Sequence, residues 1–359
     1  MAEKLGDRRR ELQGVLDRMT VPAAAELSVP LPGNAARCAA CAHRCLVREG
    51  KRGVCRVRHN HGGVLMAPHG YAAGCNADPI EKKPFFHVLP GSLAYSFDML
   101  GCNFHCRYCQ NWLSSQTLRD DAALALPRPA TAEALVAAAR ASGAASVIST
   151  YNEPLISAEW AFAVFEKARA AGMLCGFVSN GYATPEVLDY LRPVMGLCKV
   201  DLKSFSDQTY RRMGGKLAGV LGSIERLLAL GCWVEVVTLL VPGLNDSGAE
   251  LSALTRFLAG LSPDIPWHVT GFHPMYRMEA ARATTAEDLA RAAAIGKASG
   301  LRYVYAGNRP GRTGGLENTH CPGCGMELVG RTGFYVRVNR ITGGCCPGCG
   351  AAIPGVWSV

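Results

Sequence analysis

The stretch Leu93-Ala-Tyr-Ser-Phe-Asp-Met-Leu-Gly-Cys-Asn-Phe-His-Cys-Arg-Tyr-Cys-Gln-Asn-Trp112 joins a strand-like apolar run to three cysteines within eight residues. The spacing is Cys-x3-Cys-x2-Cys, at Cys102, Cys106 and Cys109, with no fourth cysteine nearby. Soft thiolates select zinc or iron–sulfur clusters. A structural zinc site closes with four ligands, whereas three ligands to a four-iron cube leave one iron open. The stretch therefore predicts a strand followed by a loop that carries an open metal centre.

Outward from this point the chain repeats one unit. Strand-like runs recur at 93–100, 145–150, 174–179, 197–202, 232–240 and 267–272. Helix signals lie between them. Thr184-Pro185-Glu186 offers an N-cap with proline in the first turn, Ser247 to Glu250 has capping-box spacing, and residues 131–141 are rich in alanine. Strands alternating with helices predict right-handed β-α-β units on a parallel sheet. The expected fold class is α/β, a partial (β/α)6 TIM-like barrel, with a two-faced open sheet as the alternative that periodicity leaves. In either, chemistry collects at the carboxyl ends of the strands.

Composition fits a folded enzyme-sized chain. Of 359 residues, 49% are hydrophobic and 19% charged, and 38 Lys and Arg against 29 Asp and Glu give a net charge of +9. The excess is dispersed, which predicts a solvated surface rather than nucleic-acid binding. No segment approaches the roughly 20 apolar residues of a membrane span. Residues 1–20 carry too many charges for a signal peptide and predict an amphipathic helix, with Leu5, Leu12, Val15, Leu16 and Met19 partly sharing a face. The expected location is cytoplasmic, where disulfides are rare. Sixteen cysteines in such a chain imply metal, and eleven of them fall into three tight groups. Cys175, Cys198 and Cys232 sit in apolar runs and predict buried packing.

The flanking groups come in fours. Cys38-x2-Cys41-x3-Cys45-x9-Cys55 offers four thiolates in 18 residues. Zinc is the expected metal there, a second 4Fe-4S cluster for electron relay the alternative, with His43 or His59 able to replace a thiolate. Downstream, Cys321-Pro-Gly-Cys324 and Cys346-Pro-Gly-Cys349 are separated by 21 residues, with Cys345 spare. Phe334, Val336 and Val338 alternate between the two knuckles, so the tail predicts a hairpin inside a zinc ribbon; a rubredoxin-like iron site has the same ligands. The expected regions are 1–90, a four-cysteine metal module; 91–312, the core; and 313–359, the ribbon.

The three-cysteine motif, with Tyr108 before its last cysteine, resembles the signature of the radical SAM superfamily. Over nearly the whole chain, the sequence is similar to the radical SAM enzyme of the AmmeMemoRadiSam system, related to pyruvate formate-lyase activating enzymes. The residues that carry this are the N-terminal cysteines, Asp78 to His87, Gly101 to Trp112, Tyr151 to Pro154, Gly307 to Gly311 and the ribbon. No mechanism follows from Asp78 to His87 by itself.

The resemblance implies a 4Fe-4S cluster on Cys102, Cys106 and Cys109 that reduces S-adenosylmethionine to a 5'-deoxyadenosyl radical, which takes hydrogen from a substrate. It implies further contacts to the bound cofactor. Glu153, in Tyr151-Asn-Glu-Pro154 where activating enzymes have Gly-Gly-Glu-Pro, would meet the methionine ammonium. Ser179 and Asn180, before Gly181, would meet its carboxylate or the ribose. Asp201 and Lys203 match an Asp-x-Lys near the cofactor. His273 would lie near the adenosyl group and Asn308 on the adenine side. Implied partners are an electron donor such as ferredoxin or flavodoxin, and Memo-like and AMMECR-like proteins. Two other readings remain: a glycyl-radical activase, and a non-catalytic iron–sulfur or zinc protein.

Overall fold

The computed structural model describes residues 2–358, with side chains from Arg8 onward. At its centre lies one eight-stranded sheet. Its strands, in spatial and chain order, are β1 (Gly74–Pro79), β2 (Leu93–Asp98), β3 (Ser146–Ser149), β4 (Leu174–Ser179), β5 (Leu197–Asp201), β6 (Trp233–Leu240), β7 (Trp267–Gly271) and β8 (Val304–Gly307). Strands β2 to β8 are parallel, each in register with the next. Strand β1 runs antiparallel to β2, from Gly74 opposite Asp98 to Pro79 opposite Leu93.

Six of these strands are the expected runs; β1 and β8 are additions. Strand β8 has four residues, too few to show a period. Strand β1 reads Gly-Cys-Asn-Ala-Asp-Pro, residues depleted in strands, and only the sheet edge tolerates its proline. The parallel strands are buried on both faces: all residues of β3 and β7 are buried, as apolar parallel sheets require.

Helices form the crossovers, and their caps are local. Thr184 Oγ1 accepts from Val187 N at 3.2 Å, and Thr131 accepts from Ala134 N at 3.1 Å. Ser247 caps the helix Gly248–Leu261 by accepting from Glu250 N at 3.2 Å. The expected reciprocal half of that capping box is missing, because the Glu250 carboxylate instead accepts from Phe205 N at 2.8 Å and from the Ser204 hydroxyl. The helix Ala286–Ala298 carries the complete box, with Thr285 and Asp288.

The N-terminal helix Ala2–Arg18 buries Leu12 and Leu16, while the side chain of Leu5 lies outside the described residues. Small antiparallel sheets follow, and Cys38 ends the strand Ala35–Cys38. Arg58 ties this region to the core: its guanidinium donates to both Glu159 oxygens, at 2.7 and 2.6 Å, with both side chains buried. In the tail, the strands Thr319–His320, Glu327–Thr332 and Tyr335–Asn339 form a three-stranded sheet. The expected hairpin is present, although Phe334 sits in its turn rather than on the strand.

Asp98, at the end of β2, is buried, and its Oδ1 has no hydrogen-bond partner. Burial pushes its carboxyl up to about 6 from 3.8, against a hydrogen bond from Ser114. The folded chain thus holds this proton more tightly than the unfolded chain, so stability falls as pH rises from about 4 to 6 and is flat above. Asp98→Asn is expected to exceed the parent by about 1–3 kcal/mol at pH 8, from about 1.4 kcal/mol per pKa unit. The gap should be smaller at pH 5. Anaerobic urea melts at the two pH values check this; an equal gap at both would refute it.

Candidate functional site

The carboxyl ends of the parallel strands open into one cavity of about 410 Å3. Cys102, Cys106 and Cys109, on the loop after β2, line it together with Tyr108, Glu153, Asn180, Asp201, Lys203 and Asn308. Ser179 stands behind this wall. Its hydroxyl donates to Glu153 Oε1 at 2.7 Å. His273 is not brought into the group: it is exposed and lies off the cavity. Strand β7 ends at Gly271, and Phe272 N turns away to donate to Thr284 Oγ1 at 3.0 Å. The histidine of this strand that lines the cavity is His268, held 2.6 Å from Glu235 Oε2.

The thiols are buried or half-buried. Burial pushes the Cys106 thiol up to about 12, although Lys203 opposes the shift. A thiol in that setting ionises when a cation takes up the thiolate, because metal binding supplies the charge that water cannot. Among the described residues, these three sulfurs are not drawn within 4.8 Å of one another. In this they differ from the closed tail group described below. Phe104 N donates to Cys102 Sγ at 3.3 Å, and Ser115 Oγ lies 3.2 Å from Cys109 Sγ. The buried Tyr108 hydroxyl contacts Met213 Sδ at 3.2 Å, fixing the turn between the last two cysteines.

Glu153 is locked in place. Besides Ser179, Leu155 N donates to Oε1 at 3.1 Å and Asn180 N to Oε2 at 2.8 Å. Burial raises its carboxyl to about 7 against these hydrogen bonds, so a cation arriving in the cavity would favour its charged form. Gly181 (φ +68°) permits the turn after Asn180. A Cβ there would stand 2.6 Å from Val200 Cγ1.

Tyr151 has φ +67°, the region that favours glycine, where activating enzymes place one. Its hydroxyl is held by the segment that had no mechanism. Tyr151 donates to Asp78 Oδ2 at 3.0 Å, and Lys83 Nζ donates to Tyr151 Oη at 2.9 Å, to Asp78 Oδ2 at 2.8 Å and to Ser96 Oγ at 2.8 Å. Asn152 completes the loop by accepting from Met99 N at 3.2 Å and donating to Gly101 O at 3.2 Å. The strained backbone, costing on the order of 1–3 kcal/mol, is thus held from two sides.

Asp201 lies between two ammonium groups, Lys199 at 2.8 Å and Lys203 at 3.0 Å. Burial raises its carboxyl, and the two lysines more than offset this, holding it at about 2. Lys199 was missed in the sequence, yet the alternation Lys199-Val-Asp201-Leu-Lys203 puts all three on one face. Lys82, Lys83 and Phe334 also line the cavity; the two lysines come from the Asp78–His87 segment, where both meet Asp78, and Phe334 comes from the tail.

A second group fits a single metal ion. The ligand atoms of Cys321, Cys324, Cys346 and Cys349 all lie within 4.8 Å of one another, with Cys321–Cys349 and Cys324–Cys346 at 3.6 Å. Sulfurs about 2.3 Å from one tetrahedral zinc stand about 3.8 Å apart. Cys345 is outside the group.

Among known proteins, the radical SAM superfamily model matches residues 98–254. An uncharacterised protein of Methanocaldococcus jannaschii is 37% identical over 315 residues, spanning 87% of this chain and 92% of the relative. A domain of the pyruvate-formate lyase-activating enzyme of Bacteroides vulgatus aligns at 19% identity and TM-score 0.41, covering 45% of this chain and 99% of that one. The FeFe-hydrogenase maturase HydG of Carboxydothermus hydrogenoformans aligns at 12% identity and TM-score 0.46, covering 63% and 55%. Among the described residues, no helix is long and apolar enough to cross a membrane.

Proposed function

Since the chain belongs to the radical SAM superfamily, we propose that it is an enzyme holding a 4Fe-4S cluster on Cys102, Cys106 and Cys109, with S-adenosylmethionine beside it. The observation that carries this reading is the convergence of those three thiols, Glu153, Asn180, Asp201 and Lys203 on one cavity at the strand ends. Bound there, cluster and cofactor together supply a 5'-deoxyadenosyl radical that takes a hydrogen atom from a substrate.

The chain's own residues orient and insulate. Glu153, fixed by Ser179, Asn180 and Leu155, presents its carboxylate to the methionine ammonium. The Asn180 amide and the Lys199–Asp201–Lys203 row supply fixed donors and charge, so that no solvent has to reorganise around the cofactor. Asn308 lies on the adenine side. Tyr108 and Phe104, both buried, keep water from the cysteine loop, which protects a radical from quenching. The tail quartet holds zinc.

The branch is that of the AmmeMemoRadiSam system, with Memo-like and AMMECR-like proteins as partners and a ferredoxin or flavodoxin as electron donor. The hydrogen comes from a residue of a partner protein or from a small molecule. Deuterium transferred from a labelled candidate into 5'-deoxyadenosine would identify it. The core test is anaerobic reconstitution followed by reduction in the presence of S-adenosylmethionine. We expect 5'-deoxyadenosine in the product mixture; its absence from protein with an intact cluster would overturn the proposal.

A further inference from the structure

The N-terminal cysteines differ from the tail quartet in the property that separates an ion from a cluster. Cys38, Cys41 and Cys55 are buried and Cys45 half-buried. Cys38 N donates to Cys45 O at 2.9 Å. Yet among the described residues no three of these sulfurs come within 4.8 Å of one another, as the tail quartet does. A tetrahedral zinc would need all four about 3.8 Å apart. In this the group is like the three-cysteine loop and unlike the tail.

The surroundings also expect sulfur acceptors. Val54 N donates to Cys45 Sγ at 3.4 Å. Asn103 is fully buried, and no hydrogen bond of good geometry is made by its Nδ2, which is directed at the Cys41 thiol. A buried amide N–H2 left unmade costs about 1–3 kcal/mol unless an acceptor arrives. Cluster sulfides and thiolates are such acceptors.

Asn103 places this group beside the first one. Its Oδ1 lies 3.8 Å from Cys102 Sγ and accepts from Asn180 Nδ2 at 2.7 Å. Its backbone oxygen lies 3.0 Å from His43 Nε2, on the loop between Cys41 and Cys45. The two cysteine loops touch: at Gly101 (φ +92°) a Cβ would stand 3.1 Å from Cys55 O.

We propose that Cys38, Cys41, Cys45 and Cys55 hold a second 4Fe-4S cluster, in place of the zinc that their number alone suggests. With four thiolates it has no open iron, so its chemistry is one-electron exchange. It takes an electron from a low-potential one-electron carrier and passes it to the neighbouring site, returning to its starting state.

The test uses the full-length chain, reconstituted anaerobically with iron and sulfide, with metals and acid-labile sulfide counted. The parent should hold about eight irons and eight sulfides in two four-iron clusters, with a single zinc. The triple variant Cys102→Ser/Cys106→Ser/Cys109→Ser should keep half of that iron and a reduced-cluster paramagnetic resonance signal. That signal should not change when S-adenosylmethionine is added. A parent with half the expected iron and a second zinc overturns the proposal. So does a signal in the triple variant that shifts with S-adenosylmethionine. If the triple variant fails to fold, the parent's iron and zinc counts decide alone. Failure of the first site would look different, with iron retained by the triple variant and no 5'-deoxyadenosine from the parent.

Discussion

Cys106→Ala is expected to bring 5'-deoxyadenosine formation down to background while the tail metal stays bound. Cys106 is the middle ligand of the motif and lines the cavity with Cys102 and Cys109. Burial pushes its thiol up to about 12, so it ionises when a metal takes up the thiolate. Two remaining thiolates do not hold a four-iron cluster in place, and without it there is no electron for the cofactor. Chromatographic detection of 5'-deoxyadenosine checks the activity, and zinc content with circular dichroism checks the fold. Cys345→Ala, outside the tail metal group, is the matched control and should leave activity unchanged. Activity surviving in Cys106→Ala would remove the central argument of the proposed function.

Arg58→Met should destabilise the chain by about 3–5 kcal/mol, because it leaves the Glu159 carboxylate buried without a countercharge. The pair is closed on both sides, at 2.7 and 2.6 Å, with side-chain exposures of 1% and 6%. Glu159 also accepts from Ala24 N at 3.3 Å, so it serves both the N-terminal region and the helix Ala158–Ala170 that presents it. Replacing both residues, as Arg58→Met/Glu159→Leu, should recover most of the loss, since an apolar pair of similar volume is often neutral or better. Urea melts of the two single variants and the double variant measure the coupling. Equal destabilisation of single and double variants would show that the charge is not what holds these parts together.

The parts of the fold visible in the sequence were those with a period. Six parallel strands announced themselves as apolar runs between helix signals, and the cysteine loop was visible from its spacing alone. Strand β1 was hidden because its residues are poor strand formers, tolerated only at an edge beside β2. The site was legible where the strands end in short motifs: Glu153, Asn180 and Asp201 all reach the cavity. It was not legible where distant segments supply the wall. Lys83 meets Tyr151 only after β1 pairs with β2, and Phe334 arrives from a hairpin turn more than two hundred residues later in the chain. His273 illustrates the opposite failure. A motif-like position after a strand meant little once the chain turned away at Phe272.

Arg331 is buried with its guanidinium 4.2 Å from the centre of the Phe86 ring, donating to Phe86 O at 2.7 Å and standing 3.5 Å from Glu81. Glu81 is fully buried on the Asp78–His87 segment. During synthesis that segment leaves the ribosome some 250 residues before its counterion. Until the tail is made, folding the segment would bury the Glu81 carboxylate uncompensated, a cost that favours keeping it loose. The same segment carries Lys83, which steadies Tyr151 beside Glu153. A chain that lacks Arg331 is therefore expected to leave the wall around Tyr151 unfinished.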